Sequence, residues 1–184
     1  MSAKAAEEFI EAHLNVYWLR PESALWDAIA SSVISRADFV TPSLDLGSGN
    51  GFPGVSVAAL HPGASVVLLD RTGKKVRAMG SCLLTARLDG VETMHLDAAQ
   101  APALRRDLRH AFDLVVARAV SRPAALAELA DPLLRPGGHL VLWLEADAEL
   151  PQRLGGMRRA QALRYDLPEP AVRQRVLGHW RKGS

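Results

Sequence analysis

The residues best suited to chemistry lie in one glycine-rich stretch, 44–54, which reads Leu-Asp-Leu-Gly-Ser-Gly-Asn-Gly-Phe-Pro-Gly. An apolar run ends in an acid, Asp45, and glycines at alternate positions follow it. Because glycine has no Cβ, it lets a strand turn sharply and lets a ligand approach the backbone. Pro53 then has the backbone angle that suits the first turn of a helix. The stretch therefore predicts a ligand-binding turn between a strand and a helix.

Two classes of ligand bind at such turns. A dinucleotide expects the spacing G-x-G-x-x-G and places its pyrophosphate on the helix N-terminus. Here the spacing is G-x-G-x-G, and an acid precedes it. S-adenosylmethionine has no phosphate, and Asp45 can attract its ammonium group or order water near it. The acid favours the methyl donor over a dinucleotide, and an ordinary strand-to-helix loop is the remaining alternative.

A second acid stands at a distance that suits the same ligand. Residues 65–70 form an apolar run typical of a buried parallel strand, and the run ends in Asp70, 21 residues after Gly49. A βαβ unit brings a carboxylate to ribose hydroxyls after about 20 residues. We therefore predict that Asp70 binds the ribose. The alternative is that Asp70 only caps the helix that follows it.

The elements that must position these acids alternate between strand and helix from residue 44 onward, which predicts a parallel sheet covered on both faces. Predicted strands are 43–46, 65–70, 91–95, 112–117 and 138–144, and predicted helices are 53–60, 73–88, 101–108 and 121–134. Pro-Gly-Gly at 136–138 predicts a tight turn into the fifth strand. Runs 160–167 and 172–180 predict two closing strands with antiparallel pairing. Together they indicate an α/β fold with a doubly wound, mostly parallel, seven-stranded sheet.

Length and composition favour a single domain over residues 1–184. Of the 184 residues, 48% are hydrophobic, which is enough for one full core. We expect an N-terminal helical segment over 1–40 and an α/β core over 41–184. No apolar run approaches membrane-spanning length and none resembles a signal peptide, so we expect a cytoplasmic protein that does not enter a membrane.

Charge and metal-ligating residues narrow the function further. The six histidines and the one cysteine, Cys82, show no metal-ligand spacing, so we expect no metal site. The net charge is only +2, but arginines and lysines cluster in four places, which keeps nucleic acid open as a partner. Lys74 and Lys75 are the best candidates for contacts with RNA because they begin the helix predicted after Asp70.

Several segments resemble one family. Residues 45–54 and 69–77, with Phe-Asp-Leu-Val-Val-Ala-Arg-Ala-Val at 112–120 and Pro-Leu-Leu-Arg-Pro-Gly-Gly at 132–138, are similar to the bacterial small-subunit rRNA guanine-N7 methyltransferase G family, also called glucose-inhibited division protein B. The resemblance covers residues 44–140. It implies a class I, Rossmann-like enzyme that uses S-adenosylmethionine to methylate N7 of a guanine in small-subunit ribosomal RNA. The alternatives are a methyltransferase for a small molecule or a protein, a non-catalytic donor-binding module and a dinucleotide-dependent reductase.

The resemblance also implies roles for particular residues. The glycines would hold the methionine end of the donor, Asp70 the ribose, and Asp97 with Ala98 the adenine, while Arg118 would lie beside the donor or the incoming RNA and is the predicted catalytic residue. The alternatives are that Asp97 caps the next helix and that Arg118 forms a salt bridge with Asp113 or Glu128. The full set expected to contact the donor is Asp45, Gly47, Ser48, Gly49, Asn50, Gly51, Phe52, Asp70, Arg71, Asp97, Ala98 and Arg118.

Overall fold

The computed structural model describes residues 42–60, 63–86, 88–118, 122–166 and 174–183, so the predicted N-terminal helical segment lies outside the described residues. Strands are β1 (Ser43–Leu46), β2 (Val66–Asp70), β3 (Val91–His95), β4 (Phe112–Arg118), β5 (Leu134–Glu145), β6 (Arg153–Leu154), β7 (Met157–Asp166) and β8 (Gln174–Lys182). Helices are α1 (Gly54–Leu60), α2 (Gly73–Ala86), α3 (Ala101–Leu104) and α4 (Pro123–Ala130), and a 3-10 turn spans Arg106–Leu108.

The strands form one mostly parallel sheet in the order β3-β2-β1-β4-β5-β8-β7-β6. The first five are parallel to one another, and β8 lies antiparallel between β5 and β7. The predicted α/β class and the antiparallel closing strands are therefore confirmed. Within the described residues the sheet has eight strands, where seven were predicted. The additional strand, β6, has only two residues, which is too short to leave a periodic pattern in the sequence.

Two helices, one strand and one turn differ most from the prediction. The helix expected over 101–108 consists of α3 followed by a separate 3-10 turn, and the helix expected over 121–134 occupies only Pro123–Ala130. The chain turns after Ala130 and enters β5 at Leu134, well before the predicted residue 138. The Pro-Gly-Gly segment therefore lies inside β5. Its Gly137 has a φ of 77°, and the register between β4 and β5 shifts beside this segment, so it forms an irregularity within a strand.

Apolar side chains pack on both faces of the sheet, as a doubly wound fold requires. On one face, called the α1/α2 face below, residues such as Val57 of α1 and Met79 of α2 pack on Leu68 and Val116. On the other, the α4 face, a second cluster includes Leu126 of α4. Strands β1 and β2 are buried along their whole length because both faces are covered. These layers fix the ends of the strands, where the candidate site lies.

The connection from β5 to β7 contains no helix within the described residues. Strands that run parallel in a sheet are usually connected through a helix. Here residues 146–152 run in irregular conformation to β6, and Leu150 packs against the core of the α4 face. The indole N–H of Trp180, a fully buried side chain, donates to the carbonyl of Pro151 at 3.0 Å. This segment, the 146–152 connection, thus takes the place of a covering helix at that end of the sheet.

Candidate active site

The predicted site residues come together at the carboxyl edge of the sheet. The glycine turn follows β1, Asp70 ends β2, Asp97 follows β3, and Arg118 ends β4. Because these four strands are parallel, their carboxyl ends meet at the same edge. Open α/β sheets bind their ligands in the crevice at this edge. The topology therefore places all the predicted contacts beside one crevice.

The glycine turn is built by backbone hydrogen bonds and positive φ angles. Gly47, Gly49 and Gly51 have φ values of 71°, 57° and 95°, a region that L side chains rarely adopt. A Cβ at Gly51 would lie 2.7 Å from Cγ2 of Val55, so this glycine is needed for packing against α1. A Cβ at Gly49 would meet only the Gly47 carbonyl, at 3.8 Å. The Gly49 position is therefore more open than the Gly51 position, and a ligand can approach the backbone there.

The Asp70 carboxylate holds two turns together. Its Oδ2 accepts from the N–H of Gly49 at 2.9 Å, and its Oδ1 accepts from the N–H of Thr72 at 2.7 Å. Burial by itself would raise the pKa of Asp70, but the bonds from Thr72 and Gly49 and the charge of Lys75 outweigh it, so this pKa lies below its usual value. Asp70 is thus ionised at neutral pH. Thr72 is not among the predicted site residues, although an Asp side chain often accepts from the backbone N–H two residues further on, in an Asx turn.

The Asp45 carboxylate lies beneath the start of α1. It is fully buried, and its Oδ2 accepts from the N–H of Gly54 at 2.8 Å, whereas Oδ1 has no hydrogen-bond partner among the described residues. A Cβ at Gly54 would lie 2.7 Å from Cβ of Asp45, so only glycine fits there. Burial raises the pKa of Asp45 to about 7, although the bond from Gly54 and the charge of Arg118 oppose the rise.

Five N–H groups of the turn and of the start of α1 are already used within the protein. Those of Gly47 and Ser48 donate to the carbonyl of Leu69, and that of Gly51 donates to the carbonyl of Ser48. The N–H of Gly49 binds Asp70, and that of Gly54, at the start of α1, binds Asp45. A pyrophosphate would need these donors and would face two carboxyl groups. The turn therefore suits a ligand without phosphate and with a cationic end, and the residues fit S-adenosylmethionine.

Three further turn residues were expected to contact the donor. The Ser48 hydroxyl donates to Sδ of Met79 at 3.5 Å, so its side chain is directed at α2 and supports the turn from behind. Phe52 is buried beside the start of α1, whereas Asn50 is half-buried. The side chain and the N–H of Ser48 are both used internally, and its contact with the donor stays a prediction. The contacts of Asn50 and Phe52 stay predictions.

Residues after β2 and β3 present backbone and side chains to the same edge. Oδ1 of Asp97 accepts from the N–H of Ala99 at 2.9 Å, which forms a turn ahead of α3, whose N-cap is Gln100. Asp97 therefore does not cap α3, as the alternative had it, but stabilises a turn that precedes this helix. Ala98 packs partly buried against the core of the α4 face, and Arg71 is exposed. The adenine contacts of Asp97 and Ala98 and the donor contact of Arg71 stay predictions.

Arg118 has no carboxylate within ion-pair distance in the part of the chain that the structure describes. The alternative salt bridge to Asp113 is wrong, because Asp113 pairs with Arg135 at the opposite edge, and the described residues show no bridge to Glu128 either. Arg118 is half-buried and lies opposite Trp143 of β5. Its charge opposes the rise that burial causes in the pKa of Asp45. Arg118 thus places an unpaired positive charge beside the crevice.

Basic residues between α3 and β4 bind groups within their own segment. Arg105 is bound by Asp107, whereas the side chain of Arg109 donates to the carbonyl of Pro102. Lys74 and Lys75 lie at the start of α2, beside the crevice. Among the described residues there is no group of three or more potential metal ligands. No helix of the described ranges is both long and apolar enough to cross a bilayer.

Residues 20–155 of this chain match the protein family described as rRNA small subunit methyltransferase G. A relative from Prochlorococcus marinus (strain MIT 9303), named ribosomal RNA small subunit methyltransferase G, is 33% identical and aligns with 88% of this chain and 74% of its own length. One of the same name from Lachnoclostridium phytofermentans is 37% identical over 53% of this chain and 40% of its own length. The match thus spans less than half of that second relative.

A solved structure shares the fold. A mutant of MtNAS in complex with S-adenosylmethionine is 15% identical in sequence and superposes with a TM-score of 0.69 over 98% of this chain and 71% of its own. At this identity the likeness concerns the fold alone. It agrees with the doubly wound class that the sequence predicts.

Proposed function

The chain belongs to the rRNA small subunit methyltransferase G family, and from this premise we propose that it transfers a methyl group from S-adenosylmethionine to N7 of a guanine in small-subunit ribosomal RNA. It is an S-adenosylmethionine-dependent methyltransferase, and its acceptor is ribosomal RNA. Since ribosomes are its substrate, the cytoplasm is its place of action.

One observation supports the choice of donor most strongly. Asp45 accepts a hydrogen bond from the N–H at the start of α1, and Asp70 accepts one from the N–H of Gly49 in the glycine turn. Two carboxyl groups therefore border the place where a dinucleotide would put its phosphates. The negative charge of Asp70, and that of Asp45 when it is ionised, repels phosphate and attracts a cation. A sulfonium ligand with an ammonium group fits this field. The same observation argues against a dinucleotide-dependent reductase.

Different residues around the turn would bind different parts of the donor. Asp70 remains ionised and, having accepted two N–H bonds, still has acceptor positions for ribose hydroxyls, since a carboxylate offers about four. Asp45 is buried, so it acts on the ammonium group through its charge and not by direct contact. Gly49 leaves room at the backbone for the methionine end. Asp97 and Ala98 would border the adenine.

The reaction needs alignment more than proton transfer. When bound, S-adenosylmethionine supplies a methyl carbon made electrophilic by the adjacent sulfonium. Guanine N7 already has a lone pair and carries no proton, so no general base is required. The guanidinium of Arg118, which pairs with no carboxylate of the described residues, can bind a phosphate of the RNA or stack on the base, and either contact would position N7 toward the methyl group.

Methyl transfer in vitro tests the proposal. The protein is incubated with S-adenosylmethionine and small ribosomal subunits from a strain that lacks the gene, and nucleosides are analysed by mass spectrometry. We expect new 7-methylguanosine in the small-subunit RNA. Arg118→Gln should lower the rate at least ~10-fold, because a group that positions the substrate is removed. Arg106→Gln, an exposed arginine before the amino end of β4, is the charge-matched control and should have no effect.

Two results would contradict the proposal. Methylation at another atom of the RNA would reject the N7 assignment and keep the enzyme class. An unchanged amount of 7-methylguanosine in the small-subunit RNA of a strain that lacks the gene would reject the ribosomal assignment and favour a small molecule or a protein as acceptor.

A further inference from the structure

Three arginines form a row across the end of the sheet. In the register of the antiparallel strands, Arg153 of β6 lies opposite Arg158 of β7, and Arg158 lies opposite Arg181 of β8. Residues directly opposite each other point to the same face, and neighbouring strands are about 4.8 Å apart. The three side chains therefore line up on the α1/α2 face at intervals of about 5 Å. We call them the arginine row.

The arginine row carries unneutralised charge. All three residues are exposed, and within the described ranges none forms an ion pair; Arg181 only donates from Nε to the carbonyl of Gly137 at 3.2 Å. Like charges directly opposite each other destabilise a sheet. Nearby basic residues, in contrast, form ion pairs: Arg175 pairs with Glu145, and Lys182 pairs with Asp131. The fold thus neutralises these neighbours and leaves the row available to an external anion.

The row lies on the same face as Arg118 but far from the crevice. Arg118 is opposite Trp143 on β5, and Arg181 is opposite His139, four residues earlier on that strand. Four residues correspond to about 13 Å along the strand, and the three strand steps from β4 to β7 add about 14 Å across it. Arg158 is therefore about 20 Å from Arg118, a distance that only a large, extended substrate bridges.

We propose that the arginine row binds the phosphate backbone of the same ribosomal RNA whose guanine is methylated at the crevice. This inference rests on the proposed function. Guanidinium groups bind phosphates through paired N–H donors, and a regular line of cations suits a polyanion. An acidic protein is the less favoured partner, because protein interfaces need apolar anchors. The exposed large apolar residues of the described chain, Leu84 and Leu104, lie on α2 and α3, away from the row.

Binding to RNA at several salt concentrations tests the inference. The probe is a fluorescein-labelled transcript of the small-subunit RNA, and binding is followed by anisotropy with the full chain. Arg153→Gln/Arg158→Gln is the test variant, since both side chains are exposed and make no hydrogen bond to the rest of the described chain. We expect weaker binding, with the slope of log Kd against log salt smaller by about one for each phosphate that the protein no longer binds. The Kd for S-adenosylmethionine should not change.

Controls separate this inference from the proposed function. Arg106→Gln removes the same kind of charge elsewhere and should leave the slope unchanged, and Arg153→Lys/Arg158→Lys should restore most of it. If the wild-type chain binds the transcript and the double Gln variant has the same slope, the arginine row is not an RNA site. If the wild-type chain methylates but its row variant loses only the binding of an acidic ribosomal protein, the partner is that protein. If the wild-type chain binds no RNA, the proposed function fails as well.

Discussion

The carboxylate of Asp70 accepts a hydrogen bond of 2.9 Å from the backbone N–H of Gly49. The acid at the end of β2 therefore fixes the shape of the turn that follows β1, in addition to facing the crevice. The two motifs that are separate in the sequence are thus one structural unit. A change at Asp70 has two effects, on ligand binding and on the turn, which experiments must separate.

Replacement of Asp70 by Ala should weaken the binding of S-adenosylmethionine by roughly 1–3 kcal/mol, because a charged hydrogen-bond acceptor is removed. Isothermal titration calorimetry measures this directly. Asp70→Asn is the matched variant: its single amide oxygen can keep one of the two N–H bonds but has no charge. An affinity that is unaltered in both variants would show that Asp70 only shapes the turn.

A pair of glycine variants tests where the ligand approaches the backbone. Gly49 and Gly63 both have positive φ, and in neither case would a Cβ meet an atom closer than 3.8 Å. Alanine should therefore cost about 1–2 kcal/mol of stability at either position, from backbone strain alone. Only Gly49→Ala should also raise the Kd for S-adenosylmethionine, since Gly63 lies beyond the far end of α1. Equal affinities for the two variants would remove Gly49 from the site.

Some of this site follows from sequence and some does not. The interval between Gly49 and Asp70 could be predicted because a βαβ unit has a nearly fixed length. The contact between Asp45 and Gly54 could not, because no sequence pattern shows which N–H a buried carboxylate accepts. The arginine row depends on the register of β6, β7 and β8. Since β6 has two residues and β7 is exposed along most of its length, no alternation of buried and exposed residues specifies this register. The alternative salt bridge between Arg118 and Asp113 fails for a related reason: the two residues are five positions apart on one strand, so they point to opposite faces.

The buried Asp45 should make stability depend on pH. Its pKa is about 7 in the folded state and near 3.8 when unfolded, so the folded protein binds the extra proton between these values. The stability that this bound proton contributes is fully present below the pKa of the unfolded state. It is lost as pH rises through the pKa of the folded state. Asp45→Asn keeps the acceptor for Gly54 but does not titrate. The free energy of unfolding, measured by urea denaturation, should therefore rise by roughly 2–4 kcal/mol in the variant relative to the wild type between about pH 5 and pH 8.

A constant difference between the two proteins over that range would show that Asp45 is already ionised in the folded state at its lower end. The same variant should also weaken S-adenosylmethionine binding more at about pH 8 than at about pH 6, because only the ionised carboxylate attracts the ammonium group. Binding that is equally affected at both pH values would argue that the charge of Asp45 has no part in holding the donor.

His179 should act in the opposite direction. Burial lowers its pKa to about 4, helped by His139, whose Nδ1 lies 2.8 Å from Nε2 of His179, and by Arg181. In the unfolded state His179 takes up a proton near pH 6.5, whereas in the folded state it does so only near pH 4. The free energy of unfolding is therefore highest above pH 6.5 and falls as pH drops toward 4. His179→Gln should not show this fall. Melting temperatures measured from about pH 7 to pH 4.5 should decrease more steeply for the wild type than for this variant, and parallel curves would contradict the assignment.

The 146–152 connection gives the last prediction, because it covers a large buried side chain without the help of a helix. Trp180 is fully buried and donates to the carbonyl of Pro151, so Trp180→Ala should lower the free energy of unfolding by about 3–5 kcal/mol. Trp180→Phe keeps most of the volume and should cost less, while losing the hydrogen bond. Leu84→Ala, at a side chain 82% exposed, is the control and should change stability by less than about 0.5 kcal/mol. Urea denaturation gives all three values. If Trp180→Ala behaves like Leu84→Ala, the connection does not pack on the sheet in solution.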